Sequence, residues 1–317
     1  MNARMDTLYI VVPCYNETEV LRETTRRLTD KMDRMRSAGL ISDQSRIMFV
    51  DDGSKDGTWK LIEELHAANP IIEGVKLSRN RGHQNALLAG LMTARGKCDC
   101  VVSMDADLQD DIEVLDDFVK KFDEGNDIVY GVRSSRGTDT AFKRGTAQAF
   151  YKLMNAFGVE TVYNHADYRL MSARALDGLA EFDEVNLFLR GIVPQIGYNA
   201  DTVEYERGER FAGESKYPLK KMLAFASDGV TSFSVKPISI ISGIGVGVAV
   251  VAAVAAIWGL IAALAGHPFL LAGWALISVW GAAGLVLTGL GIVGTYVGKT
   301  YMESKHRPRY IIEQVLE

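Results

Sequence analysis

The sequence predicts an α/β domain built on a mainly parallel sheet, followed by a two-helix transmembrane hairpin. Three observations predict it. Short apolar runs alternate with helix-like stretches from Leu8 to Arg133. Polar and acidic clusters recur at the ends of four of those runs. From Pro237 to Gly298 there is no Asp, Glu, Lys or Arg.

The first strand is "LYIVVP" (8–13), followed by a helical stretch with Leu21 and Leu28 set among charges. "RIMFVDD" (46–52) precedes the helical "TWKLIEELHAA", and "IIEGVKLS" (71–78) precedes "GHQNALLAGLMTA". "CVVSMDAD" (100–107) precedes "IEVLDDFVKKF", and "DIVYGVR" (127–133) closes the series. Apolar runs of four or five residues read as buried strands. Their alternation with helices implies a parallel sheet, whose ligands sit beyond the carboxyl ends of the strands. Those ends carry "PCYNE" (13–17), "DDGSKDGT" (51–58), "SRNRGHQN" (78–85) and "DADLQDD" (105–111). One acidic loop could simply cap a helix. Four polar loops on one sheet edge describe a site.

The chain reads as a cytosolic domain over 1–215 and a juxtamembrane segment over 216–236. Transmembrane helices over 237–264 and 269–297 and a cytoplasmic tail over 298–317 complete it. Each apolar half exceeds the roughly 20 residues that cross about 30 Å of hydrocarbon. Small residues recur in both halves ("SGIGVGVAVVAAVAA", "GAAGLVLTGLGIVG") and permit close helix packing. Lys220, Lys221 and Lys236 precede the first half, while Lys299, Lys305, Arg307 and Arg309 follow the second. The positive-inside rule then puts both ends in the cytoplasm and the His267–Pro268 turn outside. In "YPLKKMLAFASDGVTSFSV", Leu219, Leu223, Ala226, Val230 and Phe233 form one stripe, as in a helix lying in the membrane interface.

The formal net charge of −5 divides into −6 before Pro237 and +1 after it, and an acidic domain argues against a nucleic-acid partner. Cys14, Cys98 and Cys100 lack zinc spacing and read as buried, reduced thiols. No apolar signal-peptide core opens the sequence.

Asp105 and Asp107, with the amide oxygen of Gln109, offer hard oxygen donors, too few for a closed structural site. They suit a divalent ion completed by a diphosphate, able to stabilise charge on a departing nucleoside diphosphate. In "VDDGSKDGT", the glycines allow tight turns, and Asp52 faces the cleft where it could accept bonds from a base N–H or a ribose hydroxyl. Arg79, Arg133, Lys143, Arg144, Arg207, Arg210 and Lys216 are available to accept phosphate charge, while Arg81 and Arg136 read as solvated surface. His83 reads as a helix-start packing or hydrogen-bonding residue, not a metal ligand.

"VVPCYNE", "VDDGSKDGT" and "DADLQD", in this order and spacing, resemble the family 2 glycosyltransferases of the GT-A fold, which is Rossmann-like. "NRGHQNALLAGL", "DYRLMSARAL", "FLRGIVPQIGY" and "ERFAGESKYPLKKML", followed by the two apolar spans, are similar to polyprenyl-phosphate glycosyltransferases. Bactoprenol glucosyltransferases and, more distantly, dolichol-phosphate mannose synthases are of this kind.

The resemblance implies that Pro13, Tyr15, Glu17 and Asp52 bind the nucleotide, with Asp105 beside them. It implies that Asp105, Asp107 and Gln109 hold Mg²⁺ or Mn²⁺ and the diphosphate. Arg133 and Arg144 would hold the acceptor's lipid phosphate, Asp167 would lie near the reacting centre, and Arg207, Arg210 and Lys216 would close over the diphosphate. A serine found in some relatives is Gln148 here.

The expected function is inverting transfer of glucose from UDP-glucose to undecaprenyl phosphate, at the cytoplasmic face of the cell membrane, by a homo-oligomer, tetrameric in relatives. Asp107 and Asp167 are the expected catalytic residues. Mannose or another sugar fits the same mechanism, and a non-catalytic scaffold of a lipid-sugar pathway is the rival reading. A processive polysaccharide synthase would carry an Arg-Trp pair in its chain-binding segment, and no Trp here follows an Arg.

Overall fold

The computed structural model describes residues 5–134, 165–208, 236–266 and 271–317. Arg136, Lys143, Arg144, Gln148, Arg210, Lys216, the stripe of 219–233 and the His267–Pro268 turn lie outside them. The chain runs β1 (Leu8–Cys14), α1 (Thr18–Ser37), β2 (Arg46–Asp51), α2 (Thr58–Ala68), β3 (Ile72–Leu77) and α3 (His83–Ala94). Next come β4 (Cys100–Ser103), a 3₁₀ turn (Ile112–Val114), α4 (Leu115–Asp123), β5 (Ile128–Arg133), β6 (His165–Ser172), α5 (Ala173–Ala180) and α6 (Leu189–Gln195). The remaining elements are β7 (Ala200–Tyr205), α7 (Lys236–Leu264), α8 (Leu271–Ser304) and β8 (Ile312–Leu316).

The strands form one sheet in the order β7-β5-β6-β4-β1-β2-β3-β8. Pairings β4-β1, β1-β2, β2-β3 and β5-β7 are parallel. The exceptions are β6, antiparallel between β4 and β5, and β8, antiparallel on the edge of β3. This is the mainly parallel α/β sheet of the expected GT-A architecture. β1 shows why it forms: every residue is buried, as both faces of a parallel strand require. Leu8, Ile10, Val12 and Cys14 face a core with Leu21, Leu28 and Met32 of α1 and Phe118 of α4, while Tyr9 and Val11 face Leu87, Leu88 and Leu91 of α3. The three cysteines are buried and unpaired, as expected.

The inserted β6 places the site. Its Arg169 pairs with Ser103 in register, so its amino end lies at the carboxyl end of β4. Asp167 therefore meets the acidic loop that follows β4. On the other face α3 sits directly against the sheet. A Cβ on Gly90 would stand 2.4 Å from Val11 Cγ1 and 2.6 Å from Val50 Cγ2. Gly90→Ala is expected to destabilise the fold by about 1–3 kcal/mol, the usual cost of overpacking. Thermal unfolding of the purified variant checks it, at about 2–4 °C per kcal/mol for a domain of this size.

α7 and α8 pack against each other, Gly289 lying under Ile241. Both turn large apolar side chains outward, among them Val251, Trp258 and Leu264 on α7 and Leu287, Leu290 and Val297 on α8. Gly281–Ser304 is long and apolar enough to cross a membrane. α8 runs past the expected end at 297 because nothing breaks it before His306, whose φ is 46°, and Pro308. The tail, for which the sequence suggests no element, returns as β8. Lys76 Nζ meets Glu313 Oε1 at 2.8 Å, and Ser78 N–H donates to the Ile311 carbonyl at 3.0 Å.

Candidate active site

The loops after β1 and β2 are knitted together. Asn16, at φ 53°, donates its N–H to Ser54 Oγ at 3.0 Å, and its Oδ1 accepts the Lys55 N–H at 2.9 Å. Glu17 donates its N–H to Thr58 Oγ1 at 3.0 Å, leaving its carboxylate outside this backbone contact. Asp56 accepts from the Thr58 N–H at 3.0 Å and from Thr18 Oγ1 at 2.6 Å. Burial pushes Asp56 up, but these bonds win and hold it below its ordinary value. Pro13 lies one residue before the end of β1, a fully buried strand, and Tyr15 is half-buried at the start of the loop.

Gly53 has a φ of 63°, and a Cβ there would stand 2.5 Å from the Arg79 carbonyl carbon. The loop after β2 therefore lies backbone to backbone on the loop after β3. Asp52 fastens the two. Its Oδ1 accepts the Arg81 N–H at 2.6 Å and its Oδ2 the Gly82 N–H at 2.9 Å. Burial pushes Asp52 up against the pull of those two donors. Each oxygen keeps a lone pair, but the visible work of Asp52 is to set the entrance to α3. Arg81 is correspondingly half-buried, not a solvated surface residue.

That entrance brings in His83, the first residue of α3. Its Nε2 lies 3.5 Å from Asp105 Oδ1 and 3.8 Å from Asp167 Oδ2. Of the two roles expected for His83, packing or hydrogen bonding at the helix start, the structure favours the polar one, between the two acids. The "NRGH" segment pointed to a site edge, but only the Asp52 tether aims the imidazole.

Asp167 is the most constrained acid of the group. Arg190 grips it with a fork, Nε to Oδ1 and Nη2 to Oδ2, both at 3.1 Å. Arg169 Nη2 adds 2.9 Å to Oδ1. Burial alone would push Asp167 up, yet Arg190, Arg169 and His83 overcome it and hold the carboxyl far below the ordinary range. Arg190, on α6, was not a candidate from sequence, because nothing local links "FLRG" to "ADYRL".

The acidic loop follows β4. Leu108 turns at φ 58°, Asp107 Oδ1 accepts the Gln109 N–H at 3.2 Å, and Gln109 Oε1 accepts Arg207 Nη2 at 2.5 Å. Gly208 N–H donates to the Gln109 carbonyl at 2.8 Å, so the segment after β7 lies along this loop. Asp110 is buried beneath it and accepts Tyr205 Oη at 2.7 Å, while Arg133 Nε donates to the same phenol oxygen at 3.4 Å. Burial, then Asp105, push Asp110 above its ordinary value. Burial and neighbouring Arg133 push Arg207 down, and its Nε is buried with no hydrogen-bond partner among the described residues.

Asp105, Asp107, Asp167, Arg133 and Arg207 are therefore brought to one edge, with His83, Arg190, Tyr205 and Asp110 added. Among the described residues no three His, Cys, Asp or Glu side chains gather that could hold an ion alone. The donor set of Asp105 and Asp107 fits a hard divalent ion whose remaining ligands come from a substrate. Gln109 Oε1 already accepts one bond from Arg207 and keeps a second lone pair that it could offer the ion.

The chain is 53% identical over 315 residues to YkoT, an uncharacterized glycosyltransferase of Bacillus subtilis strain 168, covering 99% of this chain and 93% of that one. It is 38% identical to a prophage bactoprenol glucosyl transferase homolog of Escherichia coli K12, covering 96% of this chain and 98% of that one. Among solved structures, a mannosyltransferase of Pyrobaculum calidifontis in complex with GDP-Man and Mn²⁺ is 19% identical, with a TM-score of 0.46, over 90% of this chain and 87% of that one. Residues 9–179, from β1 through α5 and so including Asp105, Asp107 and Asp167, match the profile of Glycosyl transferase family 2, and the chain belongs to that family.

Proposed function

We propose that this transferase moves glucose from UDP-glucose to a membrane polyprenyl phosphate such as undecaprenyl phosphate, inverting the anomeric centre. The observation that carries the reading is the meeting of Asp105 with the clamped Asp167, one on each side of His83. It is supported by 38% identity to a relative named for bactoprenol glucosyl transfer and by a helix of membrane length in the same chain. α7 and α8 would form the anchoring hairpin, with both ends cytoplasmic.

In this mechanism a phosphate oxygen of the acceptor attacks the anomeric carbon in line. The new carbon–oxygen bond forms as the bond to the nucleoside diphosphate breaks, and that electron pair leaves with the diphosphate. Pro13, Tyr15 and Glu17 would line the base and ribose. Arg133 would receive the acceptor phosphate and Arg207 the leaving diphosphate. The mutual repulsion of these guanidiniums favours arrival of an anion between them. Mg²⁺ or Mn²⁺ held by Asp105 and Asp107 would neutralise charge on the departing diphosphate. A phosphate monoester has a second pKa of about 6, so the acceptor is largely ionised at neutral pH and needs no strong base. Asp167, already claimed by two guanidiniums, would orient groups around the reacting centre.

The test offers the purified protein undecaprenyl phosphate, Mn²⁺ or Mg²⁺ and a panel of labelled nucleotide sugars. Label extracted with lipid is then counted, with and without EDTA. Label from UDP-glucose alone, lost with EDTA, is the expected result. Label from GDP-mannose or another donor would replace the sugar and keep the mechanism. No label from any donor, with no binding of nucleotide or metal, would favour a non-catalytic scaffold.

A further inference from the structure

We infer that Glu303, at the end of α8, is a positioning residue for the transfer site, acting through Arg190; the inference rests on the reading that this site transfers a sugar. Glu303 lies within the membrane-length stretch Gly281–Ser304. A carboxylate in the last turn of a helix opposes the helix dipole, so its place there calls for donors from elsewhere. They come from the cytosolic domain. Glu303 Oε2 accepts the Val185 N–H at 2.8 Å. Its Oε1 accepts both the Asn186 N–H at 2.8 Å and Asn186 Nδ2 at 2.6 Å. Asn186 Nδ2 also reaches the Lys299 carbonyl at 3.5 Å, and Arg309 Nη1 donates to the Phe182 carbonyl at 2.7 Å. The segment 182–186 is thus tied at both ends to the end of α8 and the tail behind it.

Little slack follows. Phe188 and Leu189 are 2% and 1% exposed. The Leu189 N–H donates to Gln84 Oε1 at 2.8 Å, which joins the start of α6 to the start of α3, beside His83. The next residue is Arg190, forked onto Asp167. A continuous set of hydrogen bonds and buried side chains therefore runs from the end of α8 to the acid between Arg169 and His83. Misplacing a reacting group by about 1 Å can cost on the order of 10²-fold in rate. Docking of α8 onto the 182–186 segment would set the fork, so the membrane-length helix and the site are assembled together.

The test uses the full chain in lipid nanodiscs and compares Glu303→Gln, Glu303→Asp, Arg190→Lys and the double variant of Glu303→Gln with Arg190→Lys. Glu303→Gln is expected to lower kcat about tenfold while donor KM and nucleotide affinity stay within about twofold, and Glu303→Asp is expected to recover part of the loss. In the Arg190→Lys background Glu303→Gln should add little, since the two act along one path. Losses that multiply, a parallel fall in nucleotide affinity, or full activity of Glu303→Gln would overturn the inference. Amide exchange gives a readout apart from transfer. In Glu303→Gln, faster exchange should extend from Val185 and Asn186 to Leu189 and Arg190. A change confined to 185–186, or none, counts against the coupling. A wild-type protein that transfers no sugar would sink the functional reading, and the exchange result would still decide the coupling.

Discussion

Asp107→Asn is expected to lower sugar transfer by about 10²–10³-fold, the scale seen when one preorganised charge-stabilising group is removed from a transition state. The substitution is chosen to isolate charge from shape. Asp107 Oδ1 accepts the Gln109 N–H at 3.2 Å, and the amide oxygen of Asn can accept the same bond. The turn through Leu108, and the contact of Gln109 with Arg207, should therefore survive. Lost instead is one of two carboxylates that would bind a divalent ion with the donor's diphosphate. Initial rates at varied Mn²⁺, beside a thermal unfolding curve, check both halves. A variant that unfolds like the wild type, transfers about 10²–10³-fold more slowly and needs more Mn²⁺ fits the proposal. Full activity at unchanged Mn²⁺ demand would remove Asp107 from the mechanism.

Much of this site was legible because its first half is locally coded. Strands such as "RIMFVDD" are buried runs with acids at the carboxyl end, and a parallel sheet sends those ends to one edge. β6 was not read as a strand because Asp167 and Arg169 interrupt it. Those charges are tolerated only because Arg169, 1% exposed, finds Asp167 and because Arg190 arrives from α6. β8 escaped for a different reason. Its residues are mostly exposed, and only the return of the chain from α8 to the β3 edge makes them a strand. His83 and Arg190 belong to the same class of miss. Each is an ordinary polar residue in its own segment, and the distances that give it meaning run between segments far apart in sequence.

The arrangement around Asp167 makes the second large expectation, and it separates two roles for this acid. Asp167→Ala should destabilise the protein by about 3–5 kcal/mol, as breaking a buried ion pair from one side does. Arg169 explains the size. Among the described residues its Nε and Nη1 are already buried without hydrogen-bond partners, so loss of the bond from Nη2 to Asp167 leaves a buried cation without its ion-pair partner. The pH dependence follows from the direction of the shift. Arg190, Arg169 and His83 hold Asp167 well below the ordinary carboxylate range, against the push of burial. A depressed folded-state value means the stabilisation is fully present above the unfolded value of about 3.9 and is lost as pH falls below it. The gap between wild type and Asp167→Ala should therefore be flat from about pH 5 to 8 and close below about pH 4. Activity gives the complementary sign. A general base would have to titrate near the working pH to be useful. An acid held this low is ionised throughout that range and is a weak proton acceptor. The rise of rate with pH should follow the acceptor phosphate, near its second pKa of about 6. That limb should persist in Asp167→Asn, at a lower plateau. If it instead disappears in Asp167→Asn while the fold is intact, Asp167 is taking the proton and the clamp by Arg190 must open during turnover.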